Sequence, residues 1–311
     1  MHVFRGLPSP LQRRPSAVAI GNFDGVHLGH QALLEYVKEA AQARGLVPSV
    51  VTFEPHPKDF FGRGGEVARI STLYDKVNAI LGTGIERIYI LPFNSRLACM
   101  PAETFVRDVL LKGLDACWMS VGKDFRFGGD RAGSVELLEE LSRTLPYELY
   151  VSPTFYHKEA RVSSSRIREA LAVGDLYEAA LMLGRPYSMT GRVIHGAALG
   201  RTLGFPTINQ IYPTGFAEPK YGIYITRVKV NGQWYAGATG FGTRPTVNTT
   251  GQGATCETFI PDFSGQLYGE EPELEFYEYI APSRKFDTLE ELTACVNDAA
   301  AKAKAYFAAR G

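Results

Sequence analysis

The chain has 311 residues, of which 45% are hydrophobic and 21% are charged, and its 33 basic side chains balance its 33 acidic ones. This length suggests two domains, each able to bury a core of its own. A formal net charge of zero argues against a protein that coats nucleic acid, although it does not argue against binding a single nucleotide, which needs only local charge.

No part of the sequence predicts a targeting or membrane segment. The start lacks a long apolar core, and no stretch reaches the roughly 18 apolar residues of a membrane span. The four cysteines are scattered and form no Cys-x-x-Cys pair. We therefore expect reduced thiols, a cytoplasmic protein, no zinc site and neither a membrane nor a nucleic acid as partner.

Strand-like and helical patterns alternate in the first half of the chain. Apolar runs predict strands at 18–20, 47–53, 87–91, 116–121 and 148–151. Helical spacing predicts helices at 31–43, 73–81, 102–111 and 134–145, with shorter ones at 166–172 and 176–183. This alternation predicts a doubly wound α/β sheet, whose ligands bind at the carboxyl ends of the strands.

The pattern changes after residue 185, where β-rich runs replace helical periodicity. We predict strands at 188–194, 222–230, 233–238, 255–259 and 273–279. Several short strands with turn signals are typical of a small antiparallel β-barrel. A helix at 289–309, capped by Asp287 or Thr288, closes the chain. The sequence thus predicts an N-terminal domain, 1–185, and a C-terminal domain, 186–311.

The densest motif is the segment 21–30, with the sequence Gly-Asn-Phe-Asp-Gly-Val-His-Leu-Gly-His. It follows a buried strand and precedes a helix, whose N-terminal N–H groups and positive dipole end attract phosphate. His27 and His30 add imidazole donors that can meet the charge on a transferring phosphorus. Asp24 is either part of this site or an ordinary turn or capping residue.

A second polar motif opens the short helix at 166–172. Ser163, Ser164 and Ser165 precede Arg168 by about one turn, a pattern that can hold two phosphates of a nucleotide. The alternative is an ordinary helix cap with a solvated basic face. Together with the histidine motif, the phosphate interpretation is favoured, because the two elements would hold opposite ends of a triphosphate.

The second half carries a glycine-rich basic stretch, 191–209, at the opening of the β-rich region. Thr207 and Asn209 lie on one side of an extended segment, where their oxygens can complete a magnesium shell. The alternative is a glycine-rich turn with polar edge residues. Glu257, in a strand-like run, is either a general base for an alcohol or an acid on a wet strand face.

Taken together, these segments resemble the prokaryotic bifunctional riboflavin kinase/FMN adenylyltransferases, also called FAD synthetases. The resemblance covers nearly the whole chain in order, through 21–30, 52–57, 121–133, 163–168, 200–209, 240–246 and Glu257. Three places depart from the family pattern: Glu54 stands where Asp is more frequent, Ile208 stands where a small residue is usual, and 282–286 lacks the usual Arg-x-Glu-x-x-Phe.

The resemblance implies a Rossmann-like nucleotidyltransferase domain followed by a β-barrel riboflavin kinase domain. In the second domain, the riboflavin 5′-hydroxyl would attack the γ-phosphate of ATP while Glu257 takes the proton and Thr207 and Asn209 hold Mg²⁺. In the first domain, the FMN phosphate would attack the α-phosphate of a second ATP, with His27, His30 and Arg168 as catalytic residues. FMN and FAD are the implied products.

The resemblance also implies two sets of binding residues. Nucleotide contacts would come from both domains: Gly21, Asn22, Phe23, Asp24, Gly29, Asp124, Ser163, Ser164, Arg168, Gly191, Val193, Gly200, Arg201 and Pro206. Flavin contacts would come from Phe53, Pro55, His56, Phe125, Arg126, Arg284 and Phe286. The implied partners are the small-molecule substrates alone, with a monomer or a weak homo-oligomer as the assembly.

Three alternatives remain from the sequence. The departures at Ile208 and Arg284 leave open a single-activity FMN adenylyltransferase with a degenerate, flavin-binding kinase domain. A non-catalytic flavin-binding protein is a second alternative, against which the retained His27, His30 and Glu257 argue. A nucleic-acid enzyme such as an aminoacyl-tRNA synthetase shares a His-x-Gly-His turn, but zero net charge and the C-terminal barrel argue against it.

Overall fold

The computed structural model describes residues 1–62, 68–195, 205, 207–243, 253–284 and 286–310. The chain divides into two compact units. The first comprises Met1–Val67 and Leu73–Ser163, and the second comprises Ala68–Thr72 and Ser164–Gly311. The domain boundary at 185 stays a prediction. The first unit ends at Ser163, so the helices at 164–173 and 176–183 belong to the second unit.

The first unit is built on a six-stranded parallel sheet of order β1-β4-β3-β2-β5-β6. The strands are β1 His2–Arg5, β2 Ser16–Ile20, β3 Val47–Glu54, β4 Arg87–Pro92, β5 Ala116–Gly122 and β6 Glu148–Ser152. All five residues of β2 are buried, because helices cover both faces of a parallel sheet. The predicted doubly wound α/β architecture is confirmed.

Helices connect these strands and form one apolar cluster on each side of the sheet. The helices of this unit are α1 Leu28–Arg44, α2 Pro57–Phe61, α3 Leu73–Gly82, α4 Ser95–Ala98, α5 Ala102–Thr104, α6 Lys112–Leu114 and α7 Val135–Ser142. The 3-10 turns are Pro10–Gln12 and Gly129–Arg131. Helix α1 ends at Gly45, whose left-handed φ of 64° suits a residue without a Cβ.

Sequence patterns missed or simplified some local features. The edge strand β1 is largely exposed and has no apolar alternation, so no pattern predicted it. The predicted helix at 102–111 contains a π-helical segment, Phe105–Leu111, between α5 and α6. A small hairpin of β7 Tyr156–His157 and β8 Ala160–Arg161 was likewise not predicted.

The second unit is built on a seven-stranded antiparallel sheet of order β10-β11-β14-β13-β12-β15-β9, curled into a half-barrel. Its strands are β9 Tyr187–Thr190, β10 Val193–Ile194, β11 Thr207–Ile211, β12 Gly222–Val230, β13 Gln233–Gly242, β14 Thr255–Phe259 and β15 Glu273–Pro282. The single strand predicted at 188–194 is therefore two strands. The barrel-type antiparallel architecture is confirmed.

The described residues of the second unit also form three helices: α8 Ser164–Val173, α9 Leu176–Leu183 and α10 Leu289–Ala308. Helix α10 begins at the predicted cap, where Thr288 Oγ1 accepts a hydrogen bond from Glu291 N at 3.2 Å. Its residues Ala299 and Ala300 pack against Ala238 of β13. Within the described residues, no helix combines the length and apolarity needed to cross a bilayer.

Candidate functional site

A tight turn, residues 21–27, joins β2 to α1 in the first unit. Phe23 and Val26 adopt positive φ angles of 51° and 43°, and Gly25 adopts 79°. Such angles are costly for residues with a Cβ, so surrounding contacts must hold them. One such contact is the hydrogen bond from Gln31 Nε2 to the carbonyl of Val26 at 2.8 Å.

The two histidines of this turn lie face to face at the start of α1. His27 is the N-cap, and its Nδ1 accepts a hydrogen bond from the backbone N–H of His30 at 3.3 Å. Neutral His27 therefore carries its proton on Nε2. The two rings stack with centroids 3.7 Å apart and planes 13° from parallel. Two charged imidazoles at that separation would repel by roughly 4 to 5 kcal/mol at an effective dielectric constant near 20, so at most one is protonated.

His30 is the member of the pair held neutral. Burial, followed by the nearby His27 and Lys76, lowers the pKa of His30 well below its ordinary value of 6.5. Its Nδ1 is buried and has no hydrogen-bond partner among the described residues. An orphaned ring nitrogen of this kind is costly unless a ligand or water satisfies it. It is therefore available to a bound molecule.

Gly29 allows the helix start to approach the imidazoles closely. A Cβ at this position would lie 3.2 Å from Cε1 of His27 and 3.2 Å from Cβ of Phe155. Few real Cβ atoms make contacts this close, so any larger residue would displace one of the two neighbours. The predicted glycine of the histidine motif is thus needed for the ring geometry.

Lys76 is a charged residue near this turn that sequence analysis missed. It lies on α3 with only 7% of its surface exposed. Its Nζ lies 3.4 Å from the carbonyl oxygen of Asn22 and 3.4 Å from Oγ1 of Thr52. The available signal was its place on the apolar stripe of α3, between Leu73 and Ile80, where a lysine is out of pattern.

A cavity of about 280 Å³ in the first unit includes part of the turn in its wall. Its walls are largely aromatic, with basic side chains at intervals. The lining residues are Gly21, Asn22, Phe53, Pro57, Lys58, Phe61, Phe93, Leu97, Phe105, Asp124, Phe125, Arg126, Phe127, Gly128 and Arg131. An apolar aromatic pocket with a few charged groups is the usual form of a small-molecule site.

The predicted flavin residues are only partly brought together by this cavity. Phe53, Phe125 and Arg126 line it, as does the predicted nucleotide residue Asp124. Asp124 also pairs with Arg161 at 2.7 Å. Pro55 is exposed and does not line the cavity.

His56, another predicted flavin residue, does not line this cavity either. Its Nδ1 accepts the backbone N–H of Lys58 at 3.2 Å and caps α2. Sequence analysis also missed two aromatic residues of the wall. Phe61 and Phe93 meet edge to face at 5.7 Å, and nothing in the local sequence around either one indicates that contact.

The predicted phosphate residues at 163–168 span the point in the chain where the first unit ends and the second unit continues. Ser163 ends the first unit and Ser164 begins α8 of the second. Within the second unit, the half-buried Arg168 donates through Nε to the carbonyl of Ala68 at 2.5 Å. Arg166 pairs with Glu178 at 2.7 Å. The phosphate-binding role of Ser163, Ser164 and Arg168 stays a prediction.

In the second unit, strand register brings three predicted residues to one face of the sheet. Asn209 of β11 lies directly opposite Glu257 of β14, and Gly240 of β13 flanks Glu257 on the other side. Thr207 lies two residues before Asn209, so its side chain shares that face. Asn209 is buried, with 6% of its surface exposed, whereas Glu257 is exposed.

A second cavity, of about 240 Å³, lies between this face and α10. It brings together four residues predicted from distant parts of the sequence, namely Thr207, Glu257, Arg284 and Phe286. The other lining residues are Phe205, Ile223, Ala238, Gly240, Phe259, Ser283, Leu292, Cys295, Val296 and Ala299. Helical periodicity alone does not reveal that Leu292, Cys295, Val296 and Ala299 of α10 line a cavity.

The remaining predicted residues lie elsewhere or outside the described part of the chain. Val193 is buried in β10, where its N–H donates to Glu270 and its carbonyl accepts from Gly269. The carbonyl of Gly191 accepts from Gln210 Nε2 at 2.8 Å. Gly200, Arg201 and Pro206 fall among the residues that the structure does not describe.

Comparisons with known protein families divide the chain in two. A family model described as FAD synthetase matches residues 9–166. A second, described as riboflavin kinase, matches residues 183–307.

Relatives match over nearly the full length. The chain is 37% identical to a bifunctional riboflavin kinase/FMN adenylyltransferase of Pseudomonas fluorescens, covering 99% of this chain and 98% of that one. It is 34% identical to the enzyme of the same description from Escherichia coli K12, covering 99% and 98%. A crystal structure from Streptococcus pneumoniae described as a macrolide-efflux protein has 28% identity and a TM-score of 0.82 over 96% of both chains.

Proposed function

The chain belongs to the family of bifunctional riboflavin kinase/FMN adenylyltransferases, and we propose that its two reactions take place in the two separate cavities described above. It phosphorylates riboflavin to FMN with ATP, and it adenylylates FMN to FAD with release of pyrophosphate. The observation that carries the two-site proposal is that each compact unit has its own cavity, which combines an apolar wall with groups suited to phosphate chemistry.

The cavity of the second unit is the proposed riboflavin kinase site. Its apolar wall, from Ile223 to the α10 residues, suits the flat isoalloxazine ring. Glu257 lies on the polar side, where its carboxylate can accept the proton of the riboflavin 5′-hydroxyl as that oxygen attacks the γ-phosphate. Arg284 is exposed at the same cavity and can neutralise phosphate charge.

The oxygen donors beside Glu257 fit a magnesium ion. Thr207 and Asn209 supply neutral oxygens, and Mg²⁺ is usually held by one or two protein oxygens together with substrate phosphates and water. Thr207 also lines the cavity, and Asn209 lies opposite the carboxylate of Glu257 in the strand register. When bound, the ion supplies charge neutralisation at the phosphates of ATP. Thr207 and Asn209 would hold the ion, and Glu257 would accept the proton of the hydroxyl.

The histidine turn of the first unit is the proposed adenylyl transfer site. The N–H groups at the start of α1 attract phosphate, and the Nε2–H of neutral His27 is a donor for an oxygen of the α-phosphate. His30 stabilises the same developing charge beside it. The FMN phosphate attacks the α-phosphorus and pyrophosphate leaves, so the chain needs to position and stabilise charge without forming a covalent intermediate.

Further groups complete this proposed site. The aromatic cavity, which Asn22 helps to line, binds the flavin ring. Arg126 and Arg131 in its wall attract the negative charge of the FMN phosphate. A separate proposal is that Ser163, Ser164 and Arg168 would hold the β- and γ-phosphates of ATP. It rests on the Ser/Arg motif and on the half-buried state of Arg168.

The alternative of a single-activity adenylyltransferase is not supported. The riboflavin kinase family model matches residues 183–307, and the relatives that match over nearly the full length are described as bifunctional. The departures at Ile208 and Arg284 therefore do not argue for loss of the kinase reaction. Thr207, Asn209 and Glu257, which the resemblance assigns to that reaction, are all present.

The partners are the small-molecule substrates riboflavin, FMN and ATP. A monomer or weak homo-oligomer in the cytoplasm remains the proposed state of the protein. The four cysteines support a reducing compartment, because each is free in the structure.

Product analysis tests the proposed function directly. The purified chain is incubated with riboflavin, ATP and Mg²⁺, and riboflavin, FMN and FAD are separated and quantified over time. We expect FMN to appear first and FAD to follow. Accumulation of FMN without FAD, or no consumption of riboflavin while added FMN is converted, would show that only one site is active.

A further inference from the structure

The first unit contains a buried cation that the proposed reaction does not yet use. Lys76 of α3 is 7% exposed, and an ammonium group is costly to bury unless polar groups contact it. Its Nζ approaches the carbonyl of Asn22 and the hydroxyl of Thr52, each at 3.4 Å. The Thr52 hydroxyl donates to the same Asn22 carbonyl at 3.2 Å. Two donors from two different elements therefore converge on one carbonyl.

That carbonyl belongs to the turn that carries the two histidines. Because a peptide group is planar and trans, fixing the Asn22 carbonyl also fixes the N–H of Phe23, which points to the opposite side. Phe23 adopts a positive φ of 51°, and its ring lies 5.1 Å from that of His30. Orientation of the Asn22 peptide is thus linked by direct contacts to the position of the His30 ring.

We propose that Lys76 is a positioning residue of the adenylyl transfer site, which holds the Asn22 carbonyl and thereby the turn that presents His27 and His30 to the nucleotide. The proposal rests on the proposed function of the first unit. Asn22 also forms part of the wall of the aromatic cavity, so the same peptide lies beside both predicted substrates.

The charge of Lys76 has a second effect on the site. His30 is surrounded by its stacked neighbour His27, by Lys76 and by the Phe23 ring, and Asp24 is buried in the same turn. The positive charge of Lys76 adds to burial and His27 in lowering the pKa of His30. The imidazole is therefore neutral until phosphate groups arrive, whose negative charge favours its protonated form. His30 thus gains positive charge only when the nucleotide is in place.

Substitution of Lys76 in the full chain tests this role. For Lys76→Met we expect the kcat of FAD formation from FMN and ATP to fall about 10- to 100-fold, since misplacement of reacting groups by about 1 Å has that effect. Lys76→Arg keeps the positive charge, and we expect its kcat for FAD formation to lie between those of Lys76→Met and the wild type. Phosphorylation of riboflavin by the same molecules stays unchanged because it takes place in the second unit. A thermal unfolding profile like that of the wild type reports that the first unit is folded. The matched control is Lys112→Met, which removes an exposed lysine of the same unit.

Titration of the His30 imidazole by NMR distinguishes the proposed role of Lys76 from a purely structural one, because a lysine that only supported the fold would not change the pKa of His30. In the wild-type chain we expect a pKa below 6.5, and in Lys76→Met a pKa closer to 6.5. FAD formation by Lys76→Met at the wild-type rate, or a wild-type His30 pKa at or above 6.5, would overturn the proposal. If the methionine variant does not fold, Thr52→Val serves instead, because it removes the other donor to the Asn22 carbonyl. The titration of His30 in the wild-type chain then tests the lowered pKa of the imidazole.

The proposed function can fail separately from this inference. A wild-type chain that binds FMN and ATP but makes no FAD would contradict the proposed function, whatever the variants do. If the wild-type chain makes FAD and Lys76→Met makes it equally well, only the role of the lysine would be contradicted.

Discussion

The two candidate sites assemble their reactive groups in opposite ways. In the first unit, both histidines come from one turn and the first residues of the following helix, so the pair lies within ten consecutive residues. In the second unit, Thr207, Glu257 and Arg284 come from β11, β14 and the segment after β15. The first site is local in sequence and the second depends on strand register. Substitution of the two histidines should therefore leave riboflavin phosphorylation intact, and substitution of Glu257 should leave adenylyl transfer intact.

Substitution of the two histidines should produce the largest difference between the rates of the two reactions. His27→Ala with His30→Ala removes both imidazole donors, each worth about 10²- to 10³-fold in rate, so FAD formation should fall about 10⁴-fold or more. FMN formation from riboflavin should stay at the wild-type rate. Both rates are measured by chromatography, with His2→Ala in the exposed strand β1 as the control. Equal loss of both reactions would contradict two separate sites.

The reciprocal substitution is Glu257→Gln in the second unit. Loss of a general base reduces rates by about 10²- to 10⁴-fold, and we expect FMN formation to fall within that range. The conversion of added FMN to FAD should be unaffected. Glu271→Gln, at an exposed position outside the cavity, serves as the control. An unchanged rate of FMN formation would mean that Glu257 is only a solvent-exposed carboxylate on the surface of the strand.

A smaller effect is expected from the aromatic wall of the first cavity. Phe61→Ala removes a ring that packs against Phe93, and loss of one aromatic stacking surface costs about 1–3 kcal/mol. We expect the KM for FMN to rise about 10-fold with little change in kcat, and no change in riboflavin phosphorylation. Tyr74→Ala, at an exposed position, is the control. A fall in kcat at constant KM would place Phe61 outside the flavin pocket.

The smallest expected effect concerns stability and pH. Because the folded-state pKa of His30 lies below 6.5, the unfolded chain takes up this proton first as the pH falls. His30 therefore lowers the stability of the folded state progressively below about pH 6.5.

His30→Gln tests this pH dependence. The variant should lose less stability than the wild type between pH 7.5 and 5.5, by a few degrees of Tm at most, since about 1 kcal/mol corresponds to about 2–4 °C. Thermal unfolding at the two pH values measures the difference. Parallel pH profiles would show that His30 titrates normally.

The contrast between the sites also explains what the sequence patterns could predict. The buried β2 followed by a glycine-bearing turn and an amphipathic helix is a local signal, and it indicated the first site correctly as a strand–turn–helix element. Strands β12 and β14 and helix α9 match their predicted bounds residue for residue, because turn signals bracket strong apolar patterns.

Other features depend on contacts that no local pattern encodes. The cavity between β11, β14 and α10 follows from strand register, so the sequence suggested Thr207 and Glu257 separately but not their shared cavity with Ser283. Lys76 left only a weak signal, a charge on an apolar helical stripe. Phe61 and Phe93 come from separate elements, and their contact exists only in the folded unit.

Complementation between two variants, each lacking one of the two reactions, tests the two-site account most directly. His27→Ala/His30→Ala and Glu257→Gln are each incubated alone, and then mixed in equal amounts, with riboflavin, ATP and Mg²⁺. We expect the first variant to stop at FMN, the second to leave riboflavin unchanged, and the mixture to produce FAD through FMN released into solution. A mixture that makes no FAD although each variant retains its own remaining reaction would contradict independent sites linked by free FMN.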